Sequence, residues 1–94
     1  MNYKYAIDSY AWIEYFKGTK EGEKAKPYIE SNESLTSAIT IAELSEKYKR
    51  EQKDFKEDSK FILSKTKIIS ITYEIALKAG ELNEINKKTI KEWG

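Results

Sequence analysis

Short β-rich segments alternate with amphipathic helical segments along this chain, and that alternation constrains its fold more than any other feature. Residues 3–7 (Tyr-Lys-Tyr-Ala-Ile) are strand-like and end at Asp8. In residues 9–17, Trp12, Ile13 and Phe16 form an apolar stripe and Gly18 follows, which predicts a helix. A second helical stretch spans about 21–30, and its Lys and Glu residues mark a solvated outer face. Ser31-Asn32-Glu33 reads as a turn, and residues 34–37 (Ser-Leu-Thr-Ser) as a short buried strand. Thr40 begins a helix to about Arg50, with Ile41, Leu44 and Tyr48 on one face. Asp54 is the expected N-cap of a helix over about 55–64 that buries Phe55, Phe61 and Ile62. Residues 67–71 are a β-branched strand candidate, and Thr72 caps a last helix whose stripe is Ile75, Ala79, Leu82 and Ile85. Strands separated by helices call for parallel pairing, hence an α/β domain.

Ninety-four residues allow one small domain with a modest core. Charged residues reach 35%, but the apolar and aromatic residues recur periodically, so the chain is polar without being disordered. A net charge of +1 excludes a strongly basic nucleic-acid coat, so any contact with RNA has to be local or helped by a metal ion. There is no Cys, which excludes disulfides, thiol catalysis and Cys-based zinc sites. There is no His, which removes the commonest general base at neutral pH. Chemistry here has to come from carboxylates, hydroxyls, lysines or a hard metal. No apolar run reaches the length of a membrane span, and the first residues lack a signal-peptide pattern, so a soluble cytoplasmic protein is expected.

Two carboxylates have positions suited to a site. In parallel sheets ligands bind outside the carboxyl ends of the strands. Asp8 sits at the end of the first strand, although the same position suits a helix N-cap. Thr40-Ile41-Ala42-Glu43 matches a capping box, in which Glu43 reaches back to the Thr40 amide. That geometry also keeps Glu43 in the first helical turn, near the strand ends. Both carboxylates can converge on one crevice, where Mg²⁺ or Mn²⁺ accepts an all-oxygen shell completed by water and phosphate.

The segment from Tyr5 through Asp8 and Ser9 to Phe16 resembles the opening of PIN domains, where a strand ends in Asp followed by Ser or Thr and an apolar helix. The segment from Leu35 to Glu43 and Leu44 resembles their second motif, which ends in a metal-site Glu. The segment from Ile68 to Leu82, with Ala79-Gly80, looks like their next strand and helix. The three occur in order, and together they cover nearly the whole chain. The resemblance implies a PIN-like three-layer α/β/α domain with a short parallel sheet, one domain over 1–94, incomplete at its C-terminus. It also implies a metal-dependent endoribonuclease, most often the toxin of a toxin–antitoxin pair. In such an enzyme Asp8 and Glu43 would be catalytic and hold Mg²⁺ or Mn²⁺, and Ser9 and Thr40 would support them by hydrogen bonding. RNA would be the substrate and an antitoxin protein a partner.

The pattern departs from the family after the Ala-Gly helix. PIN domains continue into a Gly-Leu-Ala-Asp-like segment that carries a third acidic ligand, whereas this chain reads Lys91-Glu92-Trp93-Gly94. Glu84 and Glu92 could stand in for the third and fourth ligands, but they read more readily as solvated helix-face or tail residues. Two carboxylates alone predict loose metal binding and weak or absent cleavage. With later strands missing, residues 3–7 are expected to form an exposed edge, which favours a homodimer or association with a separate C-terminal part. The alternative function is a non-catalytic PIN-like interaction module.

The remaining features read as structural. Lys47, Lys49, Arg50, Lys53, Lys56 and Lys60 interleave with Glu46, Glu51, Asp54, Glu57 and Asp58, which predicts a solvated face of paired charges rather than an RNA track. Trp12 reads as core. Thr19-Lys20-Glu21-Gly22 lacks the Gly-Lys-Ser/Thr ending of a phosphate loop.

Overall fold

A computed structural model describes residues 3–70, together with the backbone of 83–84. The elements, in order, are β1 (Tyr5–Ala6), α1 (Ser9–Lys17), α2 (Lys20–Ile29), β2 (Ser34–Ser37), α3 (Ala38–Arg50), α4 (Lys56–Lys65), β3 (Lys67–Ile69) and β4 (Asn83–Glu84). The four strands form one sheet of order β3-β2-β1-β4, and every pair is parallel. The α/β architecture is therefore as the alternation of segments requires. Among the described residues no helix is long and apolar enough to cross a membrane.

Strand order explains where the helices lie. From β1 to β2 and from β2 to β3 the chain steps in the same direction across the sheet, and right-handed crossovers then put α1–α4 on one face. The core agrees: Ile7 of the β1 exit, Ala11 and Trp12 of α1, Ala25 and Ile29 of α2, Leu44 of α3 and Ile62 of α4 form one buried cluster. The expected second helical layer falls on residues outside those described.

Local caps account for the helix limits. Gly18 ends α1 in the left-handed region at φ 72°, and its amide donates to the Glu14 and Tyr15 carbonyls. Thr19 then caps α2 by accepting from the Gly22 amide at 3.1 Å. Gly22 has a packing role as well. A Cβ built there would lie 2.2 Å from the Glu14 carbonyl oxygen, so α1 and α2 approach at a point only glycine permits. Side chains also close the interior. Trp12 stacks on Phe16 with ring centroids 5.5 Å apart, and Phe61 from α4 meets Trp12 and Tyr15.

Four expectations need correction. First, the opening strand is only Tyr5–Ala6, although Lys4 and Ile7 extend its bonding through amides donated to the Glu33 and Leu35 carbonyls. Second, that strand is not an edge. β2 flanks it on one side and β4 on the other, which removes the edge-pairing argument for a dimer. Third, Asn83–Glu84 is a strand, so the last helix does not run through to Ile85, and Glu84 is not a helix-face residue. Its other positions, like Glu92 and Trp93, lie outside the described residues. Fourth, Phe55 precedes the first residue of α4 and makes no side-chain cap bond, while Asp54 accepts from the Lys56 amide at 2.8 Å.

The charged stretch behaves as a solvated face. Lys47 pairs with Glu51, Arg50 with Glu46, Lys53 with Glu51 and Lys60 with Glu57. Exposed pairs of this kind contribute little each.

Candidate functional site

The sheet order reverses beside β1. Early strands lie to one side of it and β4 to the other, which makes the β1–β4 boundary a topological switch point, where α/β sheets open a crevice at their carboxyl ends. Asp8 stands two residues past β1 at that point. The register pairs Ala6 with Leu35 and with Glu84 on its two sides, so the backbone of Glu84 ends β4 at the level where β1 ends.

Asp8 caps α1. Its backbone is extended, and its Oδ1 accepts from the Ala11 amide at 2.9 Å. The side chain is half-buried, and its orientation is set by that bond. Ser9 is the first residue of α1 and is also half-buried. Close by, the Tyr10 phenol is held above its ordinary pKa, first by desolvation and then by the charges of Glu14, Glu21 and Asp8. The head of α1 is thus an acidic neighbourhood.

Glu43 is placed differently from the capping-box expectation. α3 starts at Ala38 directly after β2, with no intervening loop. Its cap is Ser37, whose Oγ accepts from the Thr40 amide at 3.1 Å and donates to Thr40 Oγ1 at 3.2 Å. Thr40 is therefore the buried third residue of the helix, not its N-cap. Glu43 is the sixth residue, beyond reach of the cap amide. Its side chain is exposed, and among the described residues no hydrogen bond or ion pair engages it. Because helical Cβ atoms tilt toward the N-terminus, this side chain leans toward the end of α3 that meets the sheet. α1 and α3 pack against each other, and both helices begin at the same carboxyl edge of the sheet.

Among the described residues no group of three or more His, Cys, Asp or Glu could hold a metal ion. A cleft of about 250 Å³ lies elsewhere, between the C-terminal halves of α1 and α3 and the start of α4, and contains neither carboxylate. It is floored by Ile13, Phe16 and Tyr48, with Asp58 accepting from the Tyr48 hydroxyl at 2.6 Å.

Gly22 and Thr36 have structural roles beyond those expected from their sequence context, Gly22 in helix contact and Thr36 in a buried hydrogen bond from Trp12. Gly22 falls on the buried stripe with Ala25 and Ile29, and a glycine at a helical stripe position is the usual mark of close approach.

No curated protein and no solved structure matches the chain significantly. The PIN domain family model matches residues 5–91, which takes in β1, Asp8, Glu43 and the whole described sheet. With a parallel sheet of this order and an acidic residue at the end of its first strand, the chain belongs to the PIN domain family, a nuclease-type family whose members generally use a divalent metal.

Proposed function

We propose that this chain acts as a divalent-cation-dependent ribonuclease in which Asp8 and Glu43 hold Mg²⁺ or Mn²⁺. The observation that carries the reading is the Glu43 carboxylate. It is exposed, unengaged among the described residues, and on a helix that starts beside the Asp8 cap. The donor set fits a hard cation. Both groups are carboxylates, and the chain has no imidazole or thiolate to favour a softer metal.

A cation of this kind, when bound, lowers the pKa of a coordinated water and offsets phosphate charge. The chain's own residues do the rest. Asp8 presents a carboxylate whose rotamer is fixed by the Ala11 amide. Glu43 supplies an exposed second carboxylate from the neighbouring helix. Ser9, beside Asp8, supports the site by hydrogen bonding, while Thr40 acts through the α3 cap. Asp8 and Glu43 are the ligands among the described residues, and with water and RNA phosphate completing the shell they would give loose binding and slow cleavage. A toxin role would add an antitoxin partner and a cytoplasmic site of action.

The test is cleavage of single-stranded RNA by the purified chain. Slow cleavage is expected with Mn²⁺ or Mg²⁺, none with chelator, and none for Asp8→Asn or Glu43→Gln. Cleavage that persists in chelator or in Asp8→Asn would overturn the reading. A second reading, a non-catalytic interaction module, draws on the lack of a three-ligand cluster among the described residues. It predicts no heat of Mn²⁺ binding by calorimetry.

A further inference from the structure

We infer that Thr36 is a positioning residue for the Asp8–Glu43 pair, an inference that rests on the metal-site reading above. The two carboxylates belong to different helices. Their separation is therefore set by how the first turn of α1 lies against the β2–α3 junction. The β1–β2 ladder fixes that placement only as far as the Ile7 amide, which donates to the Leu35 carbonyl at 2.9 Å. Past this point both strands give way to helices within two residues.

Thr36 ties the two sides together where the ladder stops. Its Oγ1 accepts from Trp12 Nε1 at 3.1 Å and lies 2.7 Å from Thr66 Oγ1. The Thr66 hydroxyl donates to the Ile62 carbonyl at 3.0 Å. A hydroxyl has one proton, so the proton between the two threonines belongs to Thr36. Thr36 thus accepts on one side and donates on the other. Serine can do both and valine neither. Trp12 and Thr36 are fully buried and Thr66 is 7% exposed, so an atom that loses its partner gains no water in exchange.

Each end of this link lies next to a site element. The Trp12 amide donates to the Asp8 carbonyl at 3.1 Å, which places the indole one turn from the Asp8 cap. Thr36 immediately precedes Ser37, the cap of the helix that carries Glu43. The Thr36 hydroxyl therefore couples the turn that holds Asp8 to the junction that launches Glu43, while touching neither carboxylate.

The test titrates Mn²⁺ into the full chain and follows the free ion by its paramagnetic resonance. Wild type binds and Asp8→Asn does not. Thr36→Val weakens Mn²⁺ affinity by about tenfold or more, the size usual for residues that orient metal ligands. Thr36→Ser restores near-wild-type affinity. Ile29→Val, a change in the same buried core that removes none of these hydrogen bonds, lowers the melting temperature and leaves affinity unchanged. Should Thr36→Val not fold, Trp12→Phe removes the same hydrogen bond, keeps a ring, and is expected to lose affinity equally. Wild-type affinity in Thr36→Val (or, if that variant does not fold, in Trp12→Phe) overturns the positioning role alone. So does an Ile29→Val loss as large as that of Thr36→Val. Failure of the wild type to bind Mn²⁺, or binding unaffected by Asp8→Asn, overturns the metal site itself and the inference with it.

Discussion

Asp8 caps α1 through Oδ1 and, on our reading, also holds a cation, and substitutions separate the two roles. Asp8→Ala removes the cap and lowers stability by about 1 kcal/mol, whereas Asn caps as well as Asp, so Asp8→Asn stays within about 0.5 kcal/mol while losing the charge. Glu43 gives the complementary case. Ser37, not Thr40, caps α3, so Glu43→Gln leaves stability within about 0.5 kcal/mol, and Ser37→Ala costs about 1 kcal/mol. Urea melts of the four variants check this, and a loss of about 1 kcal/mol in Glu43→Gln would restore the capping-box role. Residue identity was enough to find Asp8, because a carboxylate between a strand and a helix has few places to go. It misassigned the cap of α3. Ser37 and Thr40 are both good caps, and a connecting loop of two or more residues is the ordinary expectation between a strand and a helix. Here β2 runs straight into α3. That shift by three residues is what frees Glu43 from the cap.

Pairs of elements meet through contacts that a linear reading cannot rank. α1 and α2 touch at Gly22, where an added methyl would fall 2.2 Å from the Glu14 carbonyl oxygen. Gly22→Ala is therefore destabilising by about 1–3 kcal/mol or more in a urea melt, although alanine is intrinsically the better helix former. A gain in stability would show that the two helices have room to separate. α3 and α4 meet through Tyr48 and Asp58. Burial raises the Tyr48 pKa first, and the hydrogen bond to Asp58 and its charge raise it further. The folded value then exceeds the unfolded value near 10.0, so this contribution is complete below pH 10 and is lost as the pH rises toward the folded value. Wild type should lose stability above pH 10 more steeply than Tyr48→Phe. Equal slopes in denaturant melts would contradict the assignment. Periodicity located α1 to the residue and α2–α4 to within two residues, because each buries one stripe against the sheet. It failed at 83–84, where the stripe of Leu82 and Ile85 suits a helix but the backbone pairs with β1. Pairing with a distant strand leaves no local trace in so short a segment.

For the molecule as a whole, the order β3-β2-β1-β4 is what turns two separate carboxylates into a candidate site. It makes β1 internal, puts the switch point beside Asp8, and brings the start of α3 to the same edge of the sheet. The parallel sheet was legible from the alternation of segments, and the family from three short motifs. The internal position of β1 was not, because it depends on residues more than seventy positions downstream. The direct test of the account is anomalous diffraction from a Mn²⁺-soaked crystal of this chain. The prediction is one Mn²⁺ within direct coordinating distance of a carboxylate oxygen of Asp8 and of Glu43, with waters completing its shell. Ordered Asp8 and Glu43 side chains too far apart to share an ion, with no Mn²⁺ peak between them, would contradict it.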